Sequence, residues 1–463
     1  MTLRVYNTLS RQIEVFEPIS PMKAGMYVCG ITPYDEPHLG HARAYITFDC
    51  VRRYLEHLGY KVNYVQNITD IDDKIIKKAS EEKTSIAAVA EKYSRSYFEM
   101  MDKLNVLPAS IYPKATEHID DMIKTVEVLV KGGYAYAVGG DVYFEVRKFK
   151  GYGKLSGRTE KAMKAGARIS VDERKKDPLD FALWKSSKPG EPSWDSPWGK
   201  GRPGWHIECS SMSAKYLGQT FDIHGGGLDL VFPHHENEIA QAEAATGKPF
   251  AKYWIHNGFV NINSEKMSKS LGNFFTIREI LEKFSPKVVR MFLLSTHYRS
   301  PINYSDEDIS AVQSKYMTMQ EGIDSISAYV DSGAKEKDPA DHKGRIDSFR
   351  KKFSDAMDAD FNTAEAIGVM FELITFAYSL IKKGSRKGLL SDVLMTVQGF
   401  GDVLGLDLSE TKIPSGVKKL VEDRVRAKKE KDYSRADSIR REIVEKGYVL
   451  RDTPFGAVLT GKI

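Results

Sequence analysis

The chain has 463 residues, with 68 Lys and Arg against 63 Asp and Glu and 41% hydrophobic residues. That composition excludes a disordered or fibrous protein, and at about 150 residues per domain the length implies roughly three domains. MTLRVYNTLS lacks a basic-then-apolar leader and no run of about 18 apolar residues occurs, so a cytoplasmic protein outside the membrane is expected. Three widely spaced cysteines, Cys29, Cys50 and Cys209, argue against a disulfide framework and for a reducing compartment.

GMYVCG reads as a short buried strand ending at Gly30. Leu39 to Leu58 then places Leu39, Ala42, Ile46, Cys50 and Tyr54 on one helical stripe, where Cys50 is core packing. Gly59 stops that helix and KVNYVQ resumes as a strand, which makes a right-handed βαβ unit and the seed of a doubly wound parallel sheet. In NITDIDDKI, Thr69 and Asp72 form a capping-box-like helix start. From about Thr116 to Pro203 the composition shifts to paired glycines and the run DERKKDP, with four of the five tryptophans (Trp184, Trp194, Trp198 and Trp205) crowded at or just past its end, as for an insertion between two halves of the sheet domain. FDIHGGG reads as a strand entering a glycine turn before a helix opening at Pro233. YWIHNGFVNI reads as a strand leading into a lysine loop, EKMSKSLGN. The pattern is helical from about Ser305 to Leu406, and YVLRDTPFGAVL reads as a hairpin.

Charge is unevenly placed. From Lys412 to Lys446 there are 12 Lys and Arg against 7 Asp and Glu, an excess equal to the +5 of the whole chain. A basic helical tail suits a phosphate backbone, although a solvated face laced with ion pairs has the same composition.

Two constellations carry chemistry. In PHLGHAR, His38 and His41 stand where the first strand hands over to its helix. There a helix N-terminus attracts phosphate, and Gly40 admits a nucleotide close to the backbone. HxGH alone describes an ordinary pair of turn histidines equally well. The second set is metal-like: His234 and Glu238, four apart on a helix, with Cys209 and Cys29, give two thiols, an imidazole and a carboxylate suited to zinc. Spacing leaves open a structural site, a catalytic site, or buried cysteines without metal. HHENE contains no HExxH, which disfavours a zinc protease.

HLGH, followed about 225 residues later by KMSKS, is similar to the paired signature of class I aminoacyl-tRNA synthetases. YVCGITPYD, NITDIDDKI, RPGWHIECS, GGGLDLVFPHHENEIAQ and EKMSKSLGN closely resemble the cysteinyl-tRNA synthetase family over essentially the whole chain. The leucine of HLGH, where the signature has isoleucine, is an apolar exchange that alters no chemistry. The resemblance implies one zinc held by Cys29, Cys209, His234 and Glu238. It implies ATP with magnesium at His38, Gly40, His41, Asp229, Lys266 and Lys269, with Asp229 on the ribose. It implies a cysteine pocket including Cys29, Thr69, Trp205 and His224. Without it, Asp229 is a turn residue, Thr69 a cap and Trp205 a core contact. A substrate carboxylate is already ionised at neutral pH, so activation needs no general base but does need charge stabilisation on phosphate, the task expected of His38, His41, Lys266 and Lys269.

The expected architecture is α/β. A Rossmann-type catalytic domain (1–115 and 204–304) carries a connective insertion (116–203) and precedes a helical tRNA-binding bundle (305–406) and a basic anticodon-recognition end (407–463). The expected partners are L-cysteine, ATP and tRNA(Cys), and the default state is a monomer without membrane. A mycothiol-pathway ligase joining cysteine to an aminosugar is the alternative enzyme, and a catalytically silent RNA-binding relative is the alternative outside enzymes.

Overall fold

A computed structural model describes residues 2–462 apart from 160–161, 164–173, 263–264, 267–273 and 339–341. Two compact units form, one of Thr2–Arg278 with Tyr298–Ile302 and one of Glu279–His297 with Asn303–Ile463. The backbone therefore passes from one unit to the other after Arg278, His297 and Ile302.

The first unit is built on four parallel strands, in chain order β1 (Lys23–Ile31), β2 (Lys61–Ile68), β3 (Phe221–Gly227) and β4 (Ala251–Asn257). Their spatial order is β4-β3-β1-β2. The winding reverses between β1 and β3, which opens a crevice at the carboxyl ends of those two strands, the place where open α/β sheets bind ligands. α1 (Leu39–His57) buries the predicted stripe of Leu39, Ala42, Ile46, Cys50 and Tyr54, and turns out of helix at Gly59 with φ 90°. The β1–β2 register shifts between Val28 and Ile31, and a Cβ at Gly30 would lie 1.5 Å from the Asn67 carbonyl oxygen. Only glycine permits that approach, and two residues earlier along the alternation Tyr27 shares one core with Cys29 and Cys209.

The region 135–203 contains a separate antiparallel sheet of Ala135–Val138, Asp141–Phe144, Phe181–Ser186 and Gly201–Pro203. The helix before it, Ile119–Lys131, packs on α2 (Trp205–Leu217) and α3 (Glu236–Thr246) and shares a core with Tyr27 and Cys29.

In the second unit Pro286–Leu294 packs on Asp306–Asp331, which packs in turn with Thr363–Lys383 and Lys387–Leu404; Lys343–Asp358 packs on Thr363–Lys383 and Lys387–Leu404. Thr363–Lys383 is long and apolar enough to cross a membrane by length and composition, yet Ala366, Met370, Leu373, Ala377 and Leu380 are buried in the bundle. Helices Ser415–Lys429 and Tyr433–Glu445 and the hairpin of Tyr448–Thr453 with Gly456–Gly461 follow.

Three local readings shift. The helix expected to open at Pro233 starts at Glu236, because Val231–His235 forms a wider turn in which Phe232 is extended. YWIHNGFVNI forms two strands, Ala251–Asn257 and Val260–Ile262, broken at Gly258, where a Cβ would meet the Ser300 carbonyl at 2.5 Å. Asp72, not Thr69, caps the next helix by accepting from the Lys74 backbone N–H.

Candidate active site and metal centre

The irregular end of β1, the first turns of α2 and the start of α3 converge on one buried cluster. Cys29 Sγ is 3.8 Å from Cys209 Sγ and 3.5 Å from Glu238 Oε1; Cys209 Sγ is 3.6 Å from His234 Nε2, which is 2.9 Å from Glu238 Oε1. Tetrahedral ligands at about 2.0 to 2.3 Å from zinc lie roughly 3.3 to 3.8 Å apart, so this donor set fits such an ion with only the His–Glu contact tight. The unused atoms are held from behind. His206 Nδ1 is 2.8 Å from His234 Nδ1, which leaves Nε2 facing the cluster, and His224 Nε2 bonds Glu238 Oε2 at 2.8 Å, which leaves Oε1. Outer partners of this kind fix tautomer and orientation in metal sites. A second set of donors, Cys29, His224, His235 and Glu238, overlaps the first. It has one thiol instead of two, and its His224 Nε2 is already bonded to Glu238, so the set with Cys209 and His234 is the better home for a soft metal.

The electrostatics agree. Burial opposes charge on Glu238, but His224 and His234 hold its carboxyl down to about 2. Burial also opposes charge on His234, yet Glu238 and Cys209 raise it to about 10. Burial raises the Cys209 thiol, while hydrogen bonds with Cys29 and His234 bring it down to about 6; Cys29 is pushed up by burial and by Cys209. A buried thiolate and carboxylate beside an imidazolium is a negative nest with one displaceable cation.

A cavity of about 360 Å³ joins this cluster to the start of α1. Its walls include Cys29, His38, Gly40, His41, Trp205 and Asp229. His38 and His41 are half-buried and stacked with ring centres 3.7 Å apart, and the His41 ring accepts from the His38 backbone N–H at 3.2 Å. Asp229 lies on the turn Leu228–Leu230 directly after β3. The backbone is tied on either side of residues 267–273. Lys266 pairs its backbone with Asn261, and beyond the loop Leu39 N–H donates to Phe275 O and Ile277 N–H to Pro37 O. HLGH therefore meets residues 275–277, which follow the lysine loop, although the two are distant in sequence. Lys269 lies outside the described residues.

Trp205 stacks on His234 at 4.0 Å and stands at the cavity wall, 38% exposed. Thr69 is buried and donates to Glu208 at 2.7 Å, and His224 is fully buried behind Glu238; neither is among the residues lining the cavity. Sequence reasoning missed His206 and His235, the latter 3.2 Å from Cys29, together with His256, whose Nε2 is 2.8 Å from His235 Nδ1. His206 precedes Cys209 by three and so shares its helical face, a legible signal; His256 gave none. Lys74 also lines the cavity, with Nζ 5.0 Å from the Tyr34 ring centre. A lysine in the first turn of a helix opposes the helix dipole, and that was its signal.

A parallel sheet with a ligand crevice at its switch point, a histidine pair at the following helix and a chain that returns to that helix after the KMSKS sequence together define a class I aminoacyl-tRNA synthetase. A family model described as tRNA synthetases class I (C) catalytic domain matches residues 15–314, and a DALR domain model matches 352–409. The chain is 50% identical over 480 residues to a cysteine--tRNA ligase of Geobacter metallireducens, covering 98% of this chain and 99% of that one. It is 52% identical over 467 residues to one of Carboxydothermus hydrogenoformans, with 98% and 99% covered. It belongs to the cysteine--tRNA ligase family. In fold it is similar to Mycobacterium tuberculosis methionyl-tRNA synthetase in complex with methionyl-adenylate (TM-score 0.59, 16% identity, 82% and 89% covered). It is also similar to the Agrobacterium radiobacter LeuRS in its ternary complex (TM-score 0.61, 12% identity, 85% of each covered).

Proposed function

We propose that this chain activates L-cysteine with ATP and transfers it to the 3′ end of tRNA(Cys). The observation that carries this reading is the single cavity running from a soft-donor cluster at Cys29 to the phosphate-binding start of α1. The cysteine carboxylate attacks the α-phosphate, an acyl–phosphate bond forms, the α–β phosphoanhydride breaks and pyrophosphate leaves. His38 and His41 donate to phosphate oxygens at the helix N-terminus, and Lys266 and Lys269 stabilise charge on the α-phosphate and departing pyrophosphate. Asp229 accepts from the ribose hydroxyls. In the second step a terminal ribose hydroxyl of the tRNA attacks the acyl carbon and AMP leaves.

At the other end Cys29, Cys209, His234 and Glu238 hold one zinc ion, which when bound supplies a soft Lewis-acidic partner for the substrate thiol. Trp205 walls the cysteine pocket, while Thr69 and His224 serve it through Glu208 and Glu238. Magnesium accompanies ATP. The bundle and basic end, 305–406 and 407–463, hold tRNA, and the insertion 116–203 flanks the catalytic halves. The protein works as a cytoplasmic monomer. The aminosugar-coupling and silent alternatives are not favoured, since identity to the ligases extends over nearly the full chain. Cysteine-dependent ATP–pyrophosphate exchange followed by charging of tRNA(Cys) tests the reading, and exchange without charging would overturn it.

A further inference from the structure

Tyr27 stands on β1 two positions before Cys29, in register with Val65 on β2 and His224 on β3. Its ring is fully buried, edge-on to His224 at 5.4 Å and tilted against Phe221 at 6.4 Å, in the core that also holds Cys29 and Cys209. That packing needs only a ring, which phenylalanine would supply. The hydroxyl is what the core does not explain: it is shielded from water and completes no hydrogen bond. A buried polar atom left in that state is costly, and native proteins give nearly all such atoms a partner.

The sulfur end is what faces this hydroxyl. Burial, and then the charges of Cys209, Cys29 and Glu238, push its ionisation well up, so it stays a neutral O–H donor among acceptors. Two of the four ligands already have a partner behind them, His206 for His234 and His224 for Glu238. Cys209 is served differently. Beyond its fellow ligands its Sγ meets Asn67 Oδ1 at 3.7 Å, an acceptor, which has no proton to offer a thiolate. A thiol is a weak acceptor, whereas an ionised one accepts strongly, so the hydroxyl gains its bond only when Cys209 is deprotonated.

We infer that the Tyr27 hydroxyl donates to Cys209 Sγ once that sulfur is a metal-bound thiolate, and thereby keeps the ion able to take a further sulfur. Charge balance gives the reason. Cys29, Cys209 and Glu238 already bring more negative charge than a divalent cation cancels, and a substrate thiolate adds to it inside a buried site. An O–H aimed at one protein thiolate draws electron density from it and leaves the metal more Lewis-acidic toward the incoming sulfur, the kind of tuning that outer partners perform. Tyr27 is thus a positioning residue for cysteine selection, acting through Cys209. The inference rests on the zinc reading of the cluster, and the test separates the two.

Tyr27→Phe removes one oxygen and keeps the ring. In the cobalt-substituted full chain the sulfur-to-metal charge-transfer band then moves to longer wavelength, because a thiolate that has lost a hydrogen bond gives up electrons more easily. Competitive chelation shows metal affinity lowered about tenfold, and with metal saturating, KM for cysteine in ATP–pyrophosphate exchange rises about tenfold while KM for ATP is unchanged. Tyr253→Phe, which removes another buried hydroxyl, one that donates to Val15 O at 2.8 Å, alters none of these. Tyrosine replaced throughout by 3-fluorotyrosine, a stronger donor, moves the band the opposite way. A band and metal affinity in Tyr27→Phe that match the parent overturn the inference, as does the same shift in Tyr253→Phe. If the parent chain gives no sulfur-to-cobalt band at all, the zinc reading itself falls.

Discussion

The two ends of the catalytic cavity are built on opposite plans. The proposed phosphate end is local: His38, Gly40 and His41 fall within four consecutive positions at one helix start, half-buried and open to the cavity. The sulfur end is assembled from Cys29, Cys209, His234 and Glu238, all buried, each braced by a further polar contact. Stabilising a transient charge on phosphate needs donors with freedom to follow a moving group. Telling sulfur from oxygen needs an inner sphere that does not adjust, since any relaxation would admit the wrong atom.

Removing the proposed zinc should break the comparison most visibly. Without it only shape remains, worth about 1 to 3 kcal/mol, so the preference for cysteine over serine in exchange should fall to about 10- to 200-fold while ATP affinity is retained. Serine exclusion that survives chelation would assign the discrimination elsewhere. Next in size, Lys269→Ala should slow pyrophosphate exchange by about 10² to 10³ with cysteine affinity unchanged, the cost of one lost transition-state donor. A wild-type exchange rate would remove that lysine from the phosphate end.

A subtler probe is His206→Ala, which leaves all four donors present but frees the far nitrogen of His234. Metal affinity should drop about 10- to 100-fold by competitive chelation, whereas the same change at the phosphate end would leave it untouched. The last probe is pH. His234, raised to about 10, and Cys29, also raised, must each give up a proton to bind metal, so affinity should strengthen by about a hundredfold per unit as pH rises through neutrality. In the metal-free protein the sign splits. The raised His234 contributes stability present below about 6.5 and lost as pH rises through 10. The lowered Cys209 contributes stability present above about 8.5 and lost as pH falls through about 6. Metal affinity that does not change with pH would show that these groups are not ligands.

This difference in plan also explains what could be read in advance. α1 and its histidines were legible because period, cap and motif all lie within 20 residues. The sulfur end was not: Cys29 and Cys209 are 180 positions apart, and nothing local says that the end of β1 and the first turns of α2 bring them together. Resemblance supplied that pairing, and the fold supplies its geometry. Thr69 misled for the reverse reason. Its spacing to Asp72 imitates a capping box, whereas its hydroxyl turns inward to Glu208, a partner 139 residues away. His235 and His256 were invisible because a bracing role depends on distance in space alone.

The threefold passage of the backbone between units has a consequence for how the protein comes off the ribosome. Helix Pro286–Leu294, with Val288, Val289 and Met291 buried, belongs to the second unit, where Arg290 donates to Leu404 O at 2.8 Å and Thr363 donates to Leu294 O at 2.7 Å. Those partners are synthesised up to about 110 residues later, roughly 5 to 20 s at ordinary elongation rates. The nascent chain therefore carries an apolar helix that waits for its companions, a natural place for a chaperone to bind. A fragment ending near residue 304 would never bury it, so the catalytic half, though a compact unit, is not separable by one cut.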